Sequence, residues 1–392
     1  MKSIRKFILA SVPLLATFQA SHAAGISFSG TYSGNGAKQL YLYSVYDEFY
    51  NYVTLIDSIP VKDGRFTYQN DTLKTRLYML APVSQPGTSM TPESGTYFFL
   101  TAGQNTASVT TTTKGRLNVD IPASELQNTY KKFMQKKGEL ANLQILDSLD
   151  ALFYAARSRN DTLEMKRIKE ESGPYYDEGS EKVEAWLTTQ LAQYAGTPFG
   201  LYLYYSYQFA HASINTLDEW NAVRQRLNTY DAVAKQMDYY AVMLKRIDMI
   251  KKSVVGSIAP NITGLSRQGR PMSLNDFRGK YVLVDFWSSG CSWCRKETPN
   301  LLKTFNAFRA NGFTKLGVST DTRKSSWIKA IQEDGAPWNH LMLQADNRDA
   351  VLNDYSIIGI PEVLLVDPQG KILAKGLRGQ QIYDAVQKAV GK

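Results

Sequence analysis

The sequence predicts a multi-domain α+β protein: an antiparallel β-domain, a helical middle region, and a C-terminal α/β domain on a mixed sheet. Three observations predict it. Short alternating runs separated by turn residues fill the first zone. Apolar residues switch to helical spacing in the second. Strand and helix patterns alternate in the third. A length of 392 residues leaves room for two or three such domains.

The chain opens on the cationic stretch Met-Lys-Ser-Ile-Arg-Lys, followed by an apolar run from Phe7 to Phe18 and then Gln-Ala-Ser-His-Ala. The run is shorter than the ~18 apolar residues of a membrane helix. Ser21 and Ala23 are small residues where a signal peptidase needs them. Residues 1–23 therefore read as a secretory signal peptide cleaved after Ala23. No cysteine lies near the cut, which disfavours a lipid anchor. No later segment reaches membrane-helix length, so the expected product is a soluble protein of the periplasm or cell envelope.

Residues 24–122 form the expected β-rich domain, of unknown function. Its strand candidates are Ile26-Ser-Phe-Ser-Gly, Leu40-Tyr-Leu-Tyr, Arg65-Phe-Thr-Tyr, Tyr97-Phe-Phe-Leu and Ala107-Ser-Val-Thr. Gly34-Asn35-Gly36, Asp63-Gly64 and Pro86-Gly87 supply turns. Residues 123–255 form the helical region. Ser124-Glu-Leu-Gln127 and Thr216-Leu-Asp-Glu219 fit capping boxes. Ile145, Leu149, Leu152 and Phe153, then Met243, Ile247 and Ile250, follow at helical spacing. Gly173-Pro174 and Gly196-Thr-Pro198 are expected to punctuate the helices. The cluster Tyr202, Tyr204, Tyr205, Tyr207 and Phe209 is expected to pack among helices rather than bind a ligand.

Residues 256–392 form the α/β domain. Tyr281-Val-Leu-Val-Asp-Phe286, Thr314-Lys-Leu-Gly-Val-Ser319 and Glu362-Val-Leu-Leu-Val366 read as strands. Helical patterns lie near 293–311, 325–334 and 380–390. Pro368-Gln-Gly370 turns into a hairpin strand at Lys371-Ile-Leu-Ala-Lys375.

Composition narrows the chemistry. The formal charge is +9, and signal removal takes three cations with it. The remaining charges are scattered, so nucleic-acid binding has no support. His22 leaves with the signal; His211 and His340 are too few for a zinc site without a wide search for other ligands. No cofactor motif appears.

The only two cysteines stand three apart, in Cys291-Ser-Trp-Cys294. Outside the cytoplasm such a pair can hold a disulfide. A four-residue ring adds little stability because loop-closure gain grows with loop size, so reactivity explains the pair better than bracing does. The residue after Cys294 is Arg295, not the histidine of a haem-attachment motif. Cys291 follows a strand and precedes the domain's first long helix. The helix N-terminus, with Arg295 and Lys296, favours its thiolate. Cys291 is thus the expected attacking thiol and the more buried Cys294 the resolving one.

The stretch Val255-Gly-Ser-Ile-Ala-Pro-Asn-Ile262, the segment Ser273–Trp287, Cys291–Pro299, Gly317-Val-Ser-Thr-Asp321, Gly359-Ile-Pro361 and Leu364–Lys371 together resemble the TlpA/ResA-like envelope thioredoxins. The resemblance covers the last third of the chain. The zones before it resemble, more weakly, the N-terminal portion often fused to such domains.

The resemblance implies a thioredoxin-like fold and a thiol–disulfide oxidoreductase acting on protein thiols and disulfides. Its usual bias is reduction, in cytochrome c maturation or disulfide repair, fed by an electron donor at the membrane. Pro361 matches the cis-proline that faces the disulfide. Glu297 matches an acid beside the pair in ResA-like members, and Asp285 the buried acid on the preceding strand. Either carboxyl is a candidate for moving protons at Cys294. Pro299 matches a helix-kinking proline. Departures cluster at the site. Gly290 stands where tryptophan is usual, Trp293 lies inside the ring where proline is common, and Ile360 and Glu362 flank Pro361. Trp293 either shields the sulfurs, contacts a partner or simply packs.

Two other functions fit less of the sequence. A thiol peroxidase would share Gly317–Asp321. However, Ser288 stands at the position of the peroxidase threonine, and the strand lacks the upstream proline. A non-catalytic envelope binding or scaffold protein would leave the work to residues 24–255.

Overall fold

The computed structural model describes residues 25–34, 36–47, 52–82, 95–112, 115–210 and 212–391. The signal peptide with its cleavage site, Asn35, the Pro86-Gly87 turn and His211 lie outside the described residues. These residues divide into two compact units, one ending at Asn128 and the other starting at Thr129. No helix among them is long and apolar enough to cross a membrane.

The first unit is an eight-stranded sheet: β1 (Ile26–Ser33), β2 (Gln39–Asp47), β3 (Tyr52–Lys62), β4 (Arg65–Asn70), β5 (Arg76–Ala81), β6 (Thr96–Leu100), β7 (Gly103–Thr111) and β8 (Leu117–Asp120). Its order is β6-β5-β2-β3-β4-β1-β7-β8. The sheet nearly closes on itself, since the Thr96 hydroxyl of β6 donates to the Leu117 carbonyl of β8 at 2.5 Å. The pairing is antiparallel with one exception, β1 beside β7, which is parallel. A parallel neighbour needs a long connection, and the intervening strands supply it. Alternation carries Ile26, Phe28, Leu40, Leu42, Phe66, Phe98 and Val109 into one core. At the β3–β4 hairpin Asp63 and Gly64 both take positive φ, 48° and 68°, as a two-residue turn of the right twist requires.

Helices follow: α1 (Glu125–Leu140), α2 (Leu143–Ser158), α3 (Thr162–Gln193), α4 (Pro198–Tyr204), α5 (Leu217–Asn228), α6 (Ala232–Gln236) and α7 (Asp238–Ile250). Thr216 and Glu219 form the full capping box of α5. Ser124 and Gln127 form only half of one. The Ser124 hydroxyl accepts the Gln127 N–H, but the Gln127 side chain accepts the Phe99 N–H of β6 at 2.7 Å instead. Gly173-Pro174 does not punctuate. Pro174 lies inside α3, which runs 32 residues through it. A proline removes one helical bond, and packing holds α3 together here. Gly179 lies so close to the Ala141 backbone that a Cβ would sit 3.0 Å from it, and the Asn142 amide donates to the Tyr175 carbonyl. Gly196-Thr-Pro198 does separate α3 from α4. Tyr202, Tyr204 and Phe209 are buried among helices, with the Tyr205 ring tilted against Tyr239 at a centroid distance of 4.7 Å.

The rest of this unit comprises β9 (Thr263–Ser266), β10 (Pro271–Ser273), β11 (Tyr281–Trp287), α8 (Ser292–Phe308), β12 (Phe313–Ser319), α9 (Lys324–Glu333), β13 (Asn339–Met342), α10 (Arg348–Asp354), β14 (Glu362–Val366), β15 (Ile372–Lys375) and α11 (Gln380–Ala389). The mixed sheet runs β10-β9-β13-β12-β11-β14-β15, with β13, β12 and β11 parallel. Both faces are covered. Val282, Val284 and Phe286 of β11 pack into one core, and Leu283 and Trp287 into the other. The sequence reading missed the β9–β10 hairpin, β13 and α10, each too short to show a period.

Candidate active site

Strand β11 ends at Trp287, and three residues later the chain enters α8. Cys291 is the N-cap of that helix, and its sulfur accepts the Cys294 N–H at 3.1 Å. Backbone N–H groups at a helix start carry partial positive charge, so this position favours a sulfur anion. The two cysteines are joined in a disulfide. Cys294 is 5% exposed and Cys291 half-buried, so Cys291 is the more accessible sulfur.

The Ile360–Pro361 peptide is cis, and the Ile360 carbonyl oxygen lies 3.7 Å from Cys291 Sγ. The Arg378 guanidinium holds the Pro361 carbonyl from outside. Trp293 is 69% exposed, with the Lys296 ammonium 4.4 Å from its ring centre. It presents an aromatic face to solvent beside the sulfurs rather than packing into the domain. A Cβ on Gly290 would meet nothing within 4 Å. Glycine is therefore not forced there by space.

The loop before Cys291 is clasped by Asp321. Its carboxylate accepts the Ser289 N–H at 2.9 Å, the Ser289 hydroxyl at 2.6 Å and the Ser319 hydroxyl at 2.7 Å. Asp321→Ala is expected to lower unfolding free energy by about 2–3 kcal/mol, since several bonds to one charged acceptor are lost together. Urea denaturation checks this, and Asp321→Asn, which keeps an acceptor, is expected to recover part of the loss.

Beneath Cys294 lies a cavity of about 10 Å³, room for one water, lined in part by Asp285, Lys315, Trp338 and His340. The Lys315 ammonium donates to Asp285 Oδ2 at 2.8 Å and sits 4.1 Å from the Trp338 ring centre. Burial lowers the Lys315 pKa, and the Asp285 charge opposes that. His340 is 3% exposed, and burial, then the Lys315 charge, holds its pKa well below the ordinary histidine range. Strand register explains the grouping: Asp285 pairs with Gly317, and Gly317 with His340. A Cβ at Gly317 would lie 2.6 Å from His340 Nδ1, so only glycine leaves the imidazole its place.

The fold thus brings Cys291, Cys294, Trp293 and Pro361 to one edge and sets Asp285 under Cys294. Glu297 faces elsewhere: its Oε1 accepts the Gly379 N–H and the Asn300 amide, each at 2.8 Å, and so braces the start of α11. Sequence reasoning missed Lys315, His340, Asp321 and Ser289. The available signal was Lys315 itself, a charge in an otherwise apolar strand.

Residues 255–375 match the AhpC/TSA family. Over 118 residues the chain is 30% identical to the thiol-disulfide oxidoreductase ResA of Geobacillus thermodenitrificans, a match covering 30% of this chain and 66% of that protein. The chain thus spans just under two thirds of that relative. It is 28% identical over 155 residues to the thiol:disulfide interchange protein HelX of Rhodobacter capsulatus, covering 39% of this chain and 84% of that one. Among solved structures it is similar to the thioredoxin domain of a thiol-disulfide oxidoreductase from Bacteroides vulgatus, at 59% identity, covering 35% of this chain and 98% of that one, with a TM-score of 0.35.

Proposed function

Because the C-terminal domain of this chain belongs to the ResA-like thiol–disulfide oxidoreductases of the thioredoxin-like family, we propose that the protein is an exported reductase of protein disulfides working through Cys291 and Cys294. The observation that carries this reading is the half-buried Cys291 sulfur, which caps α8 and lies beside the Ile360 carbonyl. A nucleophilic sulfur needs a stabilised anion and an open approach, and this position combines the two.

In the reducing direction the Cys291 thiolate attacks one sulfur of a partner disulfide. A mixed disulfide forms, and the partner's other sulfur leaves as a thiolate. Cys294, deprotonated, then attacks Cys291 Sγ. The internal disulfide closes, the partner's second thiol leaves, and two electrons have passed to the partner. In this reading Asp285, held by the Lys315 ammonium and lining the cavity under Cys294, takes up the Cys294 proton through one water. Trp293 supplies an exposed aromatic face for the partner. Pro361 and Ile360 hold the partner backbone in this reading, and Glu297 acts structurally.

Regenerating the dithiol needs an electron donor outside the chain. The signal-like N-terminus supports export to the periplasm or cell envelope, where the donor would be a membrane protein. Cytochrome c maturation and repair of wrong disulfides are the tasks this assignment offers.

The test is insulin reduction by the chain from residue 24, with dithiothreitol as electron source. Wild type is expected to speed precipitation strongly over the reagent alone, and Cys291→Ala to match the reagent. Equal rates for wild type and Cys291→Ala would sink the assignment.

A further inference from the structure

A cleft of about 30 Å³ runs from residues 212–215 and Arg246 of the helical region to Ser356, Gly359, Glu362 and Lys375 of the C-terminal domain. That is room for about two waters, or for one carboxylate in their place. Its rim belongs to the loop beside the disulfide. Gly359 adjoins Ile360, and neighbouring Ile358 is 63% exposed.

Two cations face this space without a carboxylate at ion-pair distance among the described residues. Arg246 Nη1 donates to the Phe209 and Ala210 carbonyls at 3.1 Å, and Nη2 to the Ala212 carbonyl at 3.3 Å. Lys375 Nζ donates to the Tyr355 carbonyl at 2.8 Å and the Ser253 hydroxyl at 3.1 Å. Carbonyls and a hydroxyl fix these cations in position without neutralising them. Burial lowers the pKa of both groups, a sign that the charges lie in a poorly solvated place. Glu362 is the one carboxylate lining the cleft, and its close contacts are to other groups. It accepts the Gly376 N–H at 3.1 Å and lies 3.8 Å from Arg378. Burial raises its pKa while the Lys375 charge, then the Arg378 charge, opposes that rise, so Glu362 offsets part of the Lys375 charge and leaves Arg246 without a carboxylate. The Ser356 hydroxyl is buried with no partner, on a backbone held at φ 53°.

We propose that this cleft is a carboxylate-binding subsite of the exchange site, which takes an Asp or Glu side chain within a few residues of the partner protein's reacting cysteine. The proposal rests on the disulfide-exchange reading of Cys291 and Cys294. An extended partner advances about 3.3–3.6 Å per residue, so a chain crossing Ile360 reaches the cleft's rim at Gly359 within a residue or two. A carboxylate there would offset the burial of Arg246 and Lys375 and give the Ser356 hydroxyl an acceptor. The helical region thereby becomes part of the recognition surface, because it supplies Arg246 and one wall.

The test uses the chain from residue 24 and single-disulfide peptides carrying Glu, Gln or Lys at each of the three positions on either side of a cysteine. At the favoured position wild type is expected to reduce the Glu peptide with kcat/KM about tenfold above the Gln peptide, as one charge-assisted contact provides. The Lys peptide is expected to be poorer still, and raised salt to narrow the gap. Glu362→Gln is expected to widen the preference for Glu, and Lys375→Gln to shrink it. Equal kcat/KM for Glu, Gln and Lys at every position overturns the subsite and leaves exchange standing. Failure to reduce any peptide overturns the exchange reading and the subsite with it. If Lys375→Gln does not fold, the wild-type series and Glu362→Gln decide the question.

Discussion

Cys294→Ser is expected to leave the protein covalently joined to its partners. Cys291 keeps its helix-capping position and still attacks a partner disulfide, but no second sulfur is present to release the product. In the wild type that second sulfur is three residues away in the same helical turn. Such proximity replaces a bimolecular step with an intramolecular one, so turnover with insulin is expected to fall by at least about 10³-fold. The mixed disulfides should appear on non-reducing gels of envelope extracts and vanish on reduction. Cys291→Ser provides the contrast: it keeps the buried thiol and loses the accessible one, so it should trap little. Equal trapping by the two variants would show that access, helix position and order of attack have been assigned wrongly.

Lys315→Met is expected to be the most damaging single substitution outside the cysteines. The side chains of Lys315 and Asp285 are 1% and 7% exposed, and they meet at 2.8 Å. Removing one partner leaves the other's charge buried without compensation, which costs about 3–5 kcal/mol. The loss should register in urea unfolding of the redox domain. A double variant, Lys315→Met with Asp285→Leu, is expected to regain most of that stability, because a buried ion pair owes much of its cost to desolvation. Exchange would separate the two roles: the double variant should fold well yet turn over slowly if the pair moves the Cys294 proton. A cost below about 1 kcal/mol for Lys315→Met, the size of an exposed pair, would contradict the burial on which this rests.

How much was legible beforehand varies with the range of the interaction. Residues close in the chain announced themselves. Cys291 and Cys294 lie in one helical turn, Thr216 and Glu219 in one capping box, and Asp63 and Gly64 in one hairpin turn. The signal for each is spacing, and spacing is written in the sequence. Pro174 misled because a local rule was overruled by packing at Gly179 and Asn142. Gln127 misled for a related reason: its amide found a better partner in Phe99, 28 residues away. Trp293 was left open because a side chain's exposure depends on what the rest of the fold brings near it.

The sequence by itself determined where strand, helical and alternating patterns lie and the strand-to-helix junction that carries the cysteines. These follow from periodicity and covalent spacing, which need no folded partner to be read. Only the tertiary structure decided what surrounds the sulfurs. Sheet register put Lys315 and His340 beside Asp285, the Asp321 carboxylate reached back 32 residues to Ser289, and Glu297 turned toward α11. The cleft of Arg246 and Lys375 joins groups more than a hundred residues apart. Such neighbours are chosen by how strands align and helices pack, and neither choice leaves a local pattern in the chain.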